Sequence, residues 1–78
     1  HKNVIEKDTV LMKFSIDNNL SDIDVIARAY HGSIQNVTDE AIIVSATDSS
    51  ARIMNFIKVM QKFNPLEVVR SGIVAMER

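Results

Sequence analysis

Along this chain the spacing of apolar residues switches from two to 3.6 and back, twice over, and few architectures accommodate that pattern. Val10, Met12, Phe14 and Ile16 alternate with Leu11, Lys13, Ser15 and Asp17, a half-buried strand that Asn18 and Asn19 break. Ile23, Ile26, Ala27 and Tyr30 then fall at i, i+3, i+4 and i+7, one stripe of an amphipathic helix. Ser21 with Asp24 three residues on predicts a capping box, and Asp22 and Asp24 suit the positive end of the helix dipole. Gly32, directly after His31, predicts a left-handed stop. Residues 33–37 and 41–47 read as two strands around the polar turn Thr38-Asp39-Glu40, with Ile42, Val44 and Ala46 on one face of the second. Asp48, Ser49 and Ser50 are three candidate caps for a second helix. Its stripe is Ile53, Phe56, Ile57 and Met60, extended by Phe63, while Arg52, Asn55, Lys58 and Lys62 cover its wet side. Pro65 closes that helix, because the residue before a proline is pushed out of the helical region. Residues 66–78 read as a last strand with a fault at Ser71-Gly72, since a glycine inside a strand marks a bulge or a close approach.

Strand, helix, strand, strand, helix, strand, with a tight central hairpin and right-handed crossovers, resolves most simply into a ferredoxin-like βαββαβ domain. The expectation is an α+β, ACT-like unit over residues 1–78, with residues 1–7 flexible. Four antiparallel strands carry both helices on one face. The opposite face then holds Leu11, Ile43 and Val69 or its neighbours among polar residues. A sheet left half uncovered and partly apolar calls for a partner, and a chain of 78 residues has little core stability to spare without one.

Composition narrows the function classes. Nine Lys or Arg against ten Asp or Glu give a net charge of −1, which argues against a general nucleic-acid binder. No apolar run approaches the roughly 20 residues of a spanning helix. The lack of cysteine removes disulfides, thiolate metal sites and Cys nucleophiles, and fits a reducing, cytoplasmic setting. The chain opens on His1 with no charged-then-apolar signal segment after it, so a piece of a longer protein is expected.

Catalytic groups are hard to assemble from what remains. Nearly all of the ten carboxylates fall at turns, caps or chain ends, and Asp22 and Asp24 point to different sides of their helix. His31 reads as a structural cap at a helix end, and His1, the other histidine, lies at a frayed terminus, so the metal signal is weak. Two glycines permit no phosphate-cradling loop and no nucleophile elbow. Tyr30 sits on an apolar stripe and needs one partner for its hydroxyl, and the methionines read as packing. Arg70-Ser71-Gly72 stands out instead. Arg70 is a fork of donors that suits a carboxylate, Ser71 adds a hydroxyl, and Gly72 lets the backbone bulge or a partner approach. These three are the candidate partner-contact or strand-register residues, and no catalytic, cofactor-binding or metal residue is expected.

Here the residues match a known pattern. The run from Leu66 to Arg78, Leu-Glu-Val-Val-Arg-Ser-Gly-Ile-Val-Ala-Met-Glu-Arg, resembles the closing segment of the small, regulatory subunit of acetolactate synthase. Thr9-Val10-Leu11-Met12-Lys13-Phe14 is similar to that family's opening apolar strand. Residues 26–38 resemble its helix end and following strand, with Asn36 where Asp is more usual. The resemblance implies the C-terminal half of the subunit, without the N-terminal ACT domain that binds the feedback inhibitor, usually valine. It implies a ferredoxin-like fold, a homodimer, and activation of a thiamine-diphosphate-dependent catalytic subunit in branched-chain amino-acid (valine and isoleucine) biosynthesis. Thiamine diphosphate, FAD and Mg would belong to that catalytic subunit, and no nucleic-acid or membrane partner is implied. Two other readings differ in class: a stand-alone ACT-like sensor that binds an amino acid or metal ion at a dimer interface, and a small enzyme, which lacks a cluster of titratable groups.

Overall fold

The computed structural model describes the backbone of residues 4–77 and the side chains of residues 7–71. It runs β1 (Val4–Ser15), α1 (Leu20–Ala29), β2 (Gly32–Val37), β3 (Ala41–Asp48), α2 (Ser50–Met60) and β4 (Glu67–Glu77). The strands form one antiparallel sheet in the order β2-β3-β1-β4, the ferredoxin-like arrangement the spacing predicts. The helices lie on one face, chiefly over β1, β2 and β3.

That face carries the core. Val10, Met12 and Phe14 from β1 and Ile42, Val44 and Ala46 from β3 meet Ile23 and Ala27 of α1 and Ile53, Phe56 and Met60 of α2. Phe63, on a 3₁₀ turn after α2 (Gln61–Phe63), packs edge-on against Phe14 with ring centroids 6.2 Å apart. Each fully buried side chain of this size contributes about 1.5–3 kcal/mol of transfer free energy, which is why the two stripes decide where the helices sit. Asn64 takes the left-handed conformation (φ 53°) directly before Pro65, so the helix ends where the proline predicts.

Several local expectations shift. β1 begins at Val4, not Val10: residues 4–8 pair with residues 73–77 of β4, and β3 joins only from Asp8 onward. Of the segment expected to be flexible, residues 1–3 lie outside the described residues and residues 4–7 belong to this pairing. His1 and Arg78 also lie outside. The N-cap of α1 is Asn19, whose side chain accepts from the Asp22 amide at 3.1 Å, and Ser21 falls inside the first turn. Asp24 binds Arg28 one turn on, at 3.3 Å, in place of closing a capping box. Among the three candidates for α2, Ser49 is the cap, accepting from the Arg52 amide at 3.4 Å. The left-handed residue after α1 is His31 (φ 58°), one position before the glycine that the sequence assigns to it.

The hairpin keeps its expected turn. Thr38 donates its backbone N–H to the Ala41 carbonyl at 2.8 Å, and its Oγ1 accepts from the amides of Glu40 and Ala41 at 3.1 and 3.0 Å.

Candidate interaction site

β4 changes register at the predicted fault. Asp8 stands opposite Ile73 and Val10 opposite Arg70, so Ser71 and Gly72 together face the single residue Thr9. A bulge of this kind takes ladder partners away from the residue opposite it. Ser71 replaces them: its Oγ accepts from the Thr9 amide at 3.3 Å and donates to the Thr9 carbonyl at 3.2 Å. On the same face Thr9 Oγ1 lies 2.9 Å from Thr47 Oγ1, which ties β1 to β3.

Arg70 sits on the helix side of the sheet. Its Nε donates to Asp8 Oδ2 and its Nη2 to Ser50 Oγ at 3.2 Å, so one guanidinium links β4, β1 and the start of α2. The carboxylate that suits its fork comes from its own chain. Asp8 is fully buried, and its second oxygen, Oδ1, has no hydrogen-bond partner among the described residues. Asp8 thus departs from the capping and solvation expected of most of the carboxylates. The signal that finds it is the alternation itself, because residue 8 is in phase with 10, 12 and 14.

A second polar cluster joins α1, β3 and α2. Asp48 Oδ2 accepts from His31 Nδ1 at 2.9 Å and from Arg52 Nε at 2.7 Å, and its Oδ1 accepts from the Ser49 amide at 2.7 Å. Arg52 also donates from Nη2 to the Ala29 carbonyl at 2.6 Å, an orphan acceptor at the end of α1, and lies 5.0 Å over the Tyr30 ring. Tyr30 finds its one partner in Asn55, whose Nδ2 donates to the hydroxyl at 2.5 Å. Read as a residue of the wet side, Arg52 proves to be the pin of this cluster. Its hydrogen bond holds the Asp48 carboxyl at about 2, below the ordinary 3.8, against partial desolvation, with help from the Ser49 amide and His31. The same contact raises the Arg52 guanidinium. A carboxyl lowered by folding stabilises the fold above its unfolded value, and that share is lost as pH falls through the folded value. Urea midpoints followed from pH 5 to 2 should therefore drop between about 4 and 2, and Asp48→Asn should flatten that part of the curve. Identical slopes in the two proteins would remove Asp48 from the acid response.

On the sheet face away from the helices, Leu11, Ile43 and Val69 line a shallow hollow of about 70 Å³, with Lys13 and Glu67 paired across the strands at its rim. A wider open hollow of about 500 Å³ continues past Lys13 and Ile43 to Asn36, Thr38, Glu40, Ala41 and Leu66. Leu11 and Ile43 are the apolar residues expected on the open face, and of the region around Val69 it is Val69 that joins them. Among the described residues no group of three or more His, Cys, Asp or Glu is placed to hold a metal, and no helix is long and apolar enough to cross a membrane.

Sheet order, helix layer and open face define an ACT-like α+β module of the ferredoxin-like kind, whose polar clusters tie its own elements together. Residues 7–78 match the model of the family described as the small subunit of acetolactate synthase, and the chain belongs to that family. It is 30% identical over 59 residues to a probable acetolactate synthase small subunit from Schizosaccharomyces pombe, covering 76% of this chain and 20% of that protein. It superimposes with a TM-score of 0.82 on the crystal structure of an acetolactate synthase small subunit from Thermotoga maritima, at 29% identity. That match covers 97% of this chain and 47% of the Thermotoga chain. This chain thus spans about a fifth of one relative and just under half of the other.

Proposed function

We propose that this domain is a non-catalytic regulatory part of an acetolactate synthase. It pairs with a second copy and activates the thiamine-diphosphate-dependent catalytic subunit, in the cytoplasm, in branched-chain amino-acid biosynthesis. The observation that carries the reading is the family match over residues 7–78. The apolar open face, where Leu11 and Val69 are both exposed, supports a role in contact. So does the structural employment of the titratable clusters, in which Asp8, Asp48, Arg52 and Arg70 bind one another or the backbone. Activation by such a module needs only differential binding: a partner conformation held about 1.4 kcal/mol more tightly is favoured tenfold. Thiamine diphosphate, FAD and Mg belong, on this reading, to the catalytic subunit, and this chain supplies none of their ligands.

The test is to mix the purified chain with an acetolactate synthase catalytic subunit from the same source and assay pyruvate condensation with and without valine. Stimulation that valine does not reverse is expected, with valine sensing assigned to the other half of the subunit. Absence of both stimulation and a complex would overturn the reading. Thermal stabilisation of the isolated chain by valine or a metal ion would instead favour the amino-acid or metal sensor.

A further inference from the structure

We infer that β4 is the pairing edge: it adds antiparallel to β4 of a second copy and continues the sheet from four strands to eight. This rests on the pairing half of the proposed function and names the surface involved.

β4 ends the strand order, so its outer edge offers backbone donors and acceptors that no other described strand takes up. It is 11 residues long, about twice the usual strand. Exposed edges are guarded by bulges and inward-turned charges, which β4 has at Ser71-Gly72 and Arg70, and by a covering helix, by lysine or by proline. β4 contains neither residue, and the helices lie chiefly over the other three strands. Its one cation, Arg70, is turned back to Asp8 and Ser50. Val68 stands beside the buried Met12 on the helix side yet is 39% exposed, while Val69, on the open face, is 49% exposed. Leu66, just before the strand, is 62% exposed. Around residues 66–69 the edge is therefore partly apolar and wet on both faces. A helix or small ligand covers one face only, whereas an added strand covers both and takes up the backbone groups as well.

The ribbon argues that this strand is a second β4. Among the described strands, residues 4–7 of β1 and 74–77 of β4 pair only with each other, beyond the reach of β3. An isolated two-stranded ribbon is marginal in water. Antiparallel pairing of two β4 strands lays the ribbon of each copy against the sheet body of the other, so both gain a third strand at once. A peptide of ordinary strand length supports only part of this edge. The twofold also closes the contact, since the same patch serves both copies.

Two lysine substitutions separate an edge pairing from packing through the open face. Val68→Lys places a charge at the edge on the helix side, and Leu11→Lys places one in the open face on a central strand. Sedimentation of wild-type chain across a wide concentration series should show a dimer. Val68→Lys should weaken it by about tenfold or more, and Leu11→Lys should leave it unchanged, with far-UV circular dichroism retained in both. Concentration-dependent slowing of amide exchange at residues 68–70 of the wild type supplies a reading that needs no variant. A wild type that stays monomeric, a dimer indifferent to Val68→Lys, or one weakened as much by Leu11→Lys would overturn edge pairing. Activation of the catalytic subunit, assayed in parallel, keeps the two readings apart. A monomer that activates sinks the edge alone, and a dimer that does not activate sinks the regulatory role alone.

Discussion

Replacing Arg70 with alanine is expected to lower stability by about 2–3 kcal/mol, seen as a shift of the urea midpoint at unchanged slope. The cause is Asp8, whose fully buried carboxylate has Arg70 as its ionic partner and a second oxygen with no hydrogen bond among the described residues. Removing one member of a buried ion pair costs about 3–5 kcal/mol because the other charge stays desolvated. The figure is set lower here because the Arg70 side chain is 34% exposed, so water screens its end of the pair. Loss of the 3.2 Å contact to Ser50 also frees β4 from the start of α2. The double variant Asp8→Val with Arg70→Val should be less destabilised than Arg70→Ala alone, since it removes the orphaned charge with its partner. A single variant as stable as wild type would mean that Asp8 is not held by Arg70. A double variant much worse than the single would mean that Asp8 has a structural role of its own.

That pair marks how far the sequence could be read. The apolar periods place every strand and helix of the sandwich, because burial of Met12, Phe14, Ile23 and Phe56 dominates the local energetics. Even the register fault at Ser71-Gly72 is legible, since glycine in a strand has few other uses. What fails is choice among chemically similar neighbours. Asn19 and Ser21 are both good caps, and the stripe of α1 fits either start, so only the 3.1 Å bond to the Asp22 amide decides. Asp8 is hidden by its charge, although its phase with Val10 is plain once the strand is extended backwards. For Arg70 the residue type announces a carboxylate partner but cannot say on which element, or which chain, that partner lies. Arg52 is similar in part: Asp48 lies one turn back in the sequence, but the Ala29 carbonyl reaches it only when α1 docks beside α2.

Gly32→Ala is the other substitution with a large expected effect, for a reason no local pattern contains. Gly32 opens β2 directly after the left-handed His31, and the chain there passes between the end of α1 and β3. A β-carbon on Gly32 would lie 2.6 Å from the Ser45 carbonyl oxygen, 2.8 Å from Ala46 Cβ and 3.1 Å from the Ala27 carbonyl oxygen. Two of these three atoms are backbone. The Ser45 carbonyl belongs to a strand paired on both sides, and Ala27 sits in the buried stripe of α1, so neither can yield without moving its element. Overpacking of this kind costs about 1–3 kcal/mol, and the upper end is expected where backbone must shift. For a domain of this size that amounts to a fall in Tm of roughly 10–20 °C. Ala46→Gly in the same chain relieves the contact with the Ala46 methyl but leaves the Ser45 carbonyl in place, so it should restore little of the loss. A variant that melts with wild type would show that β2 and β3 can separate there. Full rescue by Ala46→Gly would place the conflict at the methyl group and not at the strand backbone.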